Sequence, residues 1–273
     1  MLKTDAMGVE QWSKEYNYGE EQDEAWAICS TDDGGYLLTG HAHTDLYGFD
    51  YWMIKTDADG NKEWDKTHGG PDNDIGHSRD CFQTSDGGYI MSGYTYSYGA
   101  GSADYWVVKT DSSGNMEWDK TFGGKRQDVG WSMESTNDGY VFCVTMNYDS
   151  SASARKQYIL LAKADEDGNM HWQVELEEES QFGQSVQQTS DGGYIVSGRT
   201  GPAYKEFSDG LLVKLSAIEN QRPNKPATPS GPAKGDPDTE YTFTTTGATD
   251  PDGVVVSYMW DWGDGNYSDW LDT

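Results

Sequence analysis

Apolar residues in this chain come in short bursts, never in long spans. Four bursts are continuous: YWMI at 51–54, YWVV at 105–108, ILLA at 159–162 and LLV at 211–213. Side chains alternate faces along a β-strand, so a strand apolar at consecutive positions is expected to be covered on both sides. Around the bursts the pattern is mixed, with frequent Asp-Gly and Gly-Gly pairs, the preferred residues of tight hairpin turns. In one stretch GHSRDCFQTS reads as a strand, and DGG turns it into YIMSGYTYS. The loop YGAGSA leads to DYWVVKT, and DSSGN reverses the chain into MEWDKTF. The pattern predicts four short antiparallel strands.

The same pattern returns along the chain. TDDGGY starts at Thr31, TSDGGY at Thr84 and Thr189, and the shorter TNDGY at Thr136. A second phrase, Lys-x-Asp-x-x-Gly-x-x-x-Trp with small variations, ends at Trp12, Trp64, Trp118 and Trp172. The lysines Lys3, Lys55, Lys109, Lys163 and Lys214 mark a period of 51–54 residues. Four strands in such a period correspond to one β-propeller blade or a unit of another repeat array. A sheet array with one wet face fits poorly, because the third strands need cover on both faces. Four units are visible. The last lacks its Trp strand, and GVEQWSKEY near the start is an orphan fourth strand. Pairing the two would close a ring; the alternative is part of a larger wheel. Trp12, Trp64, Trp118 and Trp172 are expected at equivalent places between units.

After Ile218 the text changes. ENQRPNKPATPSGPAKGDP is rich in Pro, Gly and Lys and reads as a semi-stiff linker, followed by alternating, aromatic sequence with sharp Asp-Gly turns. The expected organisation is a propeller over 1–218, a linker and domain entry over 219–236, and a partial β-sandwich over 237–273 that ends before its closing strands.

Composition narrows the function classes. The 273 residues carry a formal charge of −28, and a surface of that sign repels phosphate backbones and anionic membranes. No apolar run is long enough to span a bilayer. No secretory signal is visible, and the start, already repeat sequence, reads as cut from a longer precursor. Three cysteines cannot build a disulfide framework. Cys81 aligns with Ile28, and Cys143 with Thr39, Ser92 and Ser197. Cys29, Cys81 and Cys143 are therefore expected as unpaired core thiols in different layers.

These motifs carry resemblances. GGPDNDIGHSRDCFQTSDGGYIMSGYT and GGKRQDVGWSMESTNDGYVFCVT resemble the SBBP-type propeller repeat of bacteria and archaea, with Asp23, Asp74 and Asp128 aligned and Gln181 standing in the fourth unit. The Gly-x-x-x-Trp segment is similar to the tryptophan-docking repeat of quinoprotein propellers, which concerns packing between blades. ATDPDG and YMWDWGDG resemble an immunoglobulin-like module of the polycystic kidney disease (PKD) type. The resemblance implies a secreted or cell-surface scaffold, with spacer or binding modules.

Chemistry is sparse. Nucleophile-elbow, His-Glu-x-x-His and P-loop motifs are absent. The pair His41 and His43 would share one strand face but has no third ligand to suggest zinc. Acidic turns at Asp57 and Asp59, at Asp165 and Asp167, and at Asp250 and Asp252 make Ca²⁺ the one candidate ion, although Asp side chains bonding their own turn amides explain the same residues. Aromatic loops place Tyr47, Phe49, Tyr96, Tyr98 and Tyr105 as candidate ligand-binding residues. The expectation is an all-β, non-catalytic extracellular scaffold or adhesion protein, needing no cofactor, that recognises glycans or surface proteins and can self-associate. The rival is a carbohydrate-active hydrolase or lyase with its site on the propeller.

Overall fold

A computed structural model describes residues 1–19, 22–44, 48–76, 80–147, 157–176, 181–201, 209–217, 257–258 and 271–272. Every regular element among them is a strand, and no helix is long and apolar enough to cross a membrane. The chain divides into two compact units. The first holds Met1–Asn169 and Gln173–Ala217, the second Met170–Trp172 and Ile218–Thr273. In the second, the described strands β19 (Ser257–Tyr258) and β20 (Leu271–Asp272) pair antiparallel. The linker, the other strands expected for a PKD-type module, and Asp250 and Asp252 lie outside the described residues.

The repeats become successive antiparallel sheets in chain order. β1 (Leu2–Thr4) and β2 (Glu10–Ser13) form a hairpin. The first full sheet runs β3 (Asp23–Ser30), β4 (Tyr36–Thr44), β5 (Gly48–Thr56) and β6 (Lys62–His68). In the second, β7 (Asp74–Ile75) and β8 (Cys81–Gln83) both pair with β9 (Tyr89–Thr95). β10 (Asp104–Thr110) and β11 (Met116–Phe122) complete that sheet. The third is β12 (Val129–Thr136), β13 (Gly139–Met146), β14 (Tyr158–Ala164) and β15 (Met170–Leu176). The fourth has β16 (Gln181–Gln188), β17 (Tyr194–Thr200) and β18 (Gly210–Leu215).

Two expectations are corrected here. β2 pairs with β1 and not with the fourth sheet, so the N-terminal strand does not close a ring. The LLV run in β18 is not covered on both faces: Leu212 is 69% exposed, and burial alternates along the strand. In β10 and β13, with a sheet on either side, every residue is buried. The outer face of the first sheet is likewise open at Trp26 and Ile28. Burial on both sides therefore follows from position in the stack, not from the apolar run alone.

The repeated phrases have local reasons. In TDDGGY, Asp33 Oδ1 accepts from the Thr31 hydroxyl at 2.6 Å and the Gly35 amide at 2.9 Å, and Oδ2 accepts from Lys55 Nζ at 2.7 Å. Thr84, Asp86, Gly88 and Lys109 repeat the arrangement. Gly34 and Gly87 take positive φ, which glycine adopts without a Cβ clash. Lys55 and Lys109 are buried and also bond Glu63 and Glu117. Burial pulls both ammonium groups down, but the paired carboxylates outweigh it and leave them above their ordinary value. The Lys55 bond first, then Thr31 and Gly35, bring Asp33 down to about 2. The shorter turn of the third unit keeps the device, with Lys163 Nζ 2.8 Å from Asp138 Oδ1.

The Trp phrase joins one unit to the next. A Cβ built on Gly60 would stand 2.8 Å from the Trp12 ring; on Gly114, 2.7 Å from Trp64; on Gly168, 3.0 Å from Trp118. Each of these partly buried indoles thus lies against the bare α-carbon of the following unit's turn, where glycine alone fits. Trp172 is buried.

Candidate functional site

At the strand ends where β9 passes to β10, Asp72, Asn73, Tyr96, Gly101 and Ser102 line a groove of about 380 Å³. Tyr96 is 40% exposed and stands edge-on to Tyr94, with ring centres 6.0 Å apart. Its hydroxyl accepts from Gln127 Nε2 at 3.3 Å, and its amide donates to the Asn73 carbonyl at 2.9 Å. Asn73 also takes the Phe49 amide on Oδ1 at 3.0 Å, so one residue ties the rim of the first sheet to that of the second. Asp72 is exposed, and its carboxylate accepts no hydrogen bond from the described residues. The groove offers an aromatic ring, a carboxylate and a hydroxyl.

The other aromatic candidates fall differently. Tyr98 is 41% exposed, bonds the Gly69 carbonyl at 2.9 Å and leans on Trp106 at 5.3 Å. Phe49 lies edge-on to both His41 and His43, at 4.9 and 5.3 Å, so the two imidazoles share a strand face and serve packing. Tyr105 is a correction. It is fully buried between sheets, against Phe122, Phe142 and the α-carbon of Gly130, and presents nothing to a ligand. As a member of the apolar run, it belongs to the strand and not to the loop before it. Tyr47 lies outside the described residues. Asp72 and Asn73 escaped notice because PDND reads as an ordinary turn; its neighbours Gly69 and Gly70 are the only trace of the close packing there.

The acidic turns use their carboxylates internally. Asp57 Oδ1 accepts the amides of Asp59 and Asn61, and Oδ2 accepts Asn61 Nδ2 at 2.9 Å. Asp165 does the same with Asp167 and Asn169, and Asp111 with Ser113 and Asn115, although Ser113 replaces an acid. The Asn61 bonds hold Asp57 below the usual carboxylate range. Among the described residues no group of three or more His, Cys, Asp and Glu side chains is placed to hold a metal ion.

A different set of acids is under electrostatic load. Asp104 and Asp128, on adjacent sheets, converge on Gly123, where a Cβ would overlap Asp104 Oδ1 and stand 2.9 Å from Asp128 Oδ2. Both residues are about 1% exposed. Asp128 accepts the amides of Gly124 and Asn147 at 2.6 and 2.7 Å. Asp104 accepts Ala100 on Oδ2 at 2.7 Å, while its Oδ1 has no partner among the described residues. Burial first, then the Asp128 charge, pushes Asp104 above the ordinary carboxylate range, and burial does the same to Asp128. Asp50 and Asp74 repeat the pair at Gly69. The next unit has Tyr158 and Gln181 in these places, so a carboxylate pair is not required by the repeat.

This sets a testable sign. With its folded pKa raised, Asp104 carries a cost when ionised that disappears as pH falls through that pKa. Asp104→Asn keeps the Ala100 acceptor and removes the repulsion. It is expected to stabilise the fold by about 1–2 kcal/mol near pH 7, comparable to relief of one buried unpaired polar atom. The gain should fade toward about pH 4. Urea unfolding at the two pH values checks it; destabilisation at neutral pH would mean that the carboxylate is needed.

No known family model matches the chain, and no curated protein matches it significantly.

Proposed function

We propose that this chain is a non-catalytic extracellular recognition scaffold, that its stacked sheets are blades of the β-propeller type, and that the groove beside Tyr96 takes a carbohydrate. The PKD-type module expected over 237–273 is part of this reading, as a spacer. Support comes from the solvent-facing Tyr96 ring set beside the unengaged Asp72 carboxylate, in a groove of about 380 Å³. An aromatic face covers the C–H side of a pyranose, while a few convergent polar groups fix its hydroxyls. The net charge of −28 fits a neutral or cationic glycan better than a sulfated one.

The hydrolase reading finds less support. Glycosidases need two carboxylates flanking a bound sugar, and in the two pairs of matching chemistry Asp104, Asp128 and Asp74 are buried, with Asp50 half-buried beside Asp74. A glycan array probed with the intact chain tests the proposal, followed by calorimetry on the best ligand. Tyr96→Ala is expected to weaken that ligand at least about tenfold, as loss of a central aromatic anchor does, with the urea midpoint unchanged. Binding that ignores Tyr96→Ala would place the site elsewhere.

A further inference from the structure

Cys29 and Cys81 come from neighbouring sheets, β3 and β8, and the structure brings them together. Cys81 aligns with Ile28 in the repeat, one position off Cys29, and successive residues of a strand face opposite sides. Ile28 therefore points to the open outer face of the first sheet. Cys29 points toward the second sheet, from which Cys81 points back. The expectation that the thiols lie in different layers is corrected for these two. They pack in one cluster with Leu37, Met53 and Met91, and Cys81 Sγ stands 4.0 Å from the carbonyl oxygen of Leu37, the cross-strand partner of Cys29. Cys29 is partly exposed and Cys81 is buried. Cys143 sits apart, fully buried against the α-carbon of Gly183.

We infer that Cys29 and Cys81 form a redox-responsive dithiol, which exchanges with small-molecule disulfides to close a covalent bond between the first and second sheets. The two thiols are unequal in a way that suits the reaction. The Cys81 hydrogen bond first, then the Gln83 and Leu37 amides, bring the Cys29 thiol below its ordinary value against the effect of burial. The Cys29 bond first, then burial, pushes Cys81 well up. Cys29 is thus the attacking thiolate and Cys81 the resolving thiol.

In the first step the Cys29 thiolate, its proton released to water, attacks one sulfur of the small disulfide. A mixed disulfide forms, and one small thiolate leaves and takes up a proton. The bond that held Cys81 protonated is then gone. Cys81 loses its proton to water and attacks Cys29 Sγ, expelling the second small thiol. Overall two protein thiols become one disulfide, and the small disulfide is reduced to two thiols; no other oxidant is needed.

The test uses the full chain, native, in graded mixtures of oxidised and reduced glutathione, quenched with acid and alkylated after unfolding. Peptide mapping is expected to find a Cys29–Cys81 link with Cys143 still free. Cys81→Ser should instead accumulate glutathione on Cys29, and Cys29→Ser should leave Cys81 unmodified while folded. Three free thiols at every ratio, or a link that uses Cys143, would overturn the inference. The wild-type result stands alone if either serine variant fails to fold.

Discussion

Trp106→Ala is expected to cost about 3–5 kcal/mol of folding stability, the range for deleting a buried aromatic side chain. Trp106 is fully buried at the junction of the first two sheets, its ring centre 4.5 Å from that of Tyr51. Its indole donates to Asp119 Oδ2 at 2.8 Å, and its carbonyl accepts the Tyr51 hydroxyl at 3.0 Å. Truncation would leave a cavity lined by residues of two sheets that cannot collapse independently. It would also leave Asp119 without the donor. Trp64→Ala, at a partly buried ring, should cost clearly less. Urea unfolding followed by circular dichroism gives the comparison. Equal costs, or a loss below about 1 kcal/mol at Trp106, would be inconsistent with face-to-face packing of these sheets.

Gly88→Ala is expected to cost about 2–3 kcal/mol, by the strain of overpacking next to backbone. The new methyl group would overlap the Thr110 carbonyl oxygen and stand 2.7 Å from Lys109 Nζ. The hairpin must open, and Lys109, buried between Asp86 and Glu117, must move with it. The preceding residue is the control. A Cβ on Gly87 meets nothing within 4 Å, and only its positive φ of 85° resists substitution. Gly87→Ala should therefore cost about 1 kcal/mol. Both variants can be ranked by their urea midpoints. The reverse order would show that the second glycine is there for turn conformation and not for the lysine.

Much of this architecture can be read from the chain because each repeated residue has a local task. Thr, Asp and the two glycines of the turn satisfy one another within a few residues, and Lys closes the device from the adjoining strand. Short-range chemistry of that kind leaves a fixed spacing. The Trp-to-Gly contact is longer in range but returns with every unit, so periodicity exposes it. Features that depend on which face meets which neighbour were not legible in the same way. Tyr105 follows a Gly-rich loop and looks like loop, yet alternation carries it between sheets. Leu212 takes the place in the repeat that Val107 has in its unit, but has no sheet over it among the described residues. Asp104 opens β10 and Asp128 lies just before β12, in different units, and only Gly123, with no room for a side chain, hints at their meeting. The groove at Tyr96 was half legible. Its aromatic residue stood out, while Asp72 and Asn73 arrive from the loop that enters the sheet, a placement set by tertiary packing.

The most direct test of the repeated packing is the contact between each tryptophan and the next turn. In a deuterated chain with protonated Trp and Gly, cross-relaxation can be measured from the indole ring protons to glycine α-protons. The expected result is three sets of cross-peaks, Trp12 to Gly60, Trp64 to Gly114 and Trp118 to Gly168, with those glycine α-protons displaced by the ring currents. Ordinary glycine shifts with no indole cross-peaks would contradict the unit-to-unit docking on which the stacked-sheet scaffold rests.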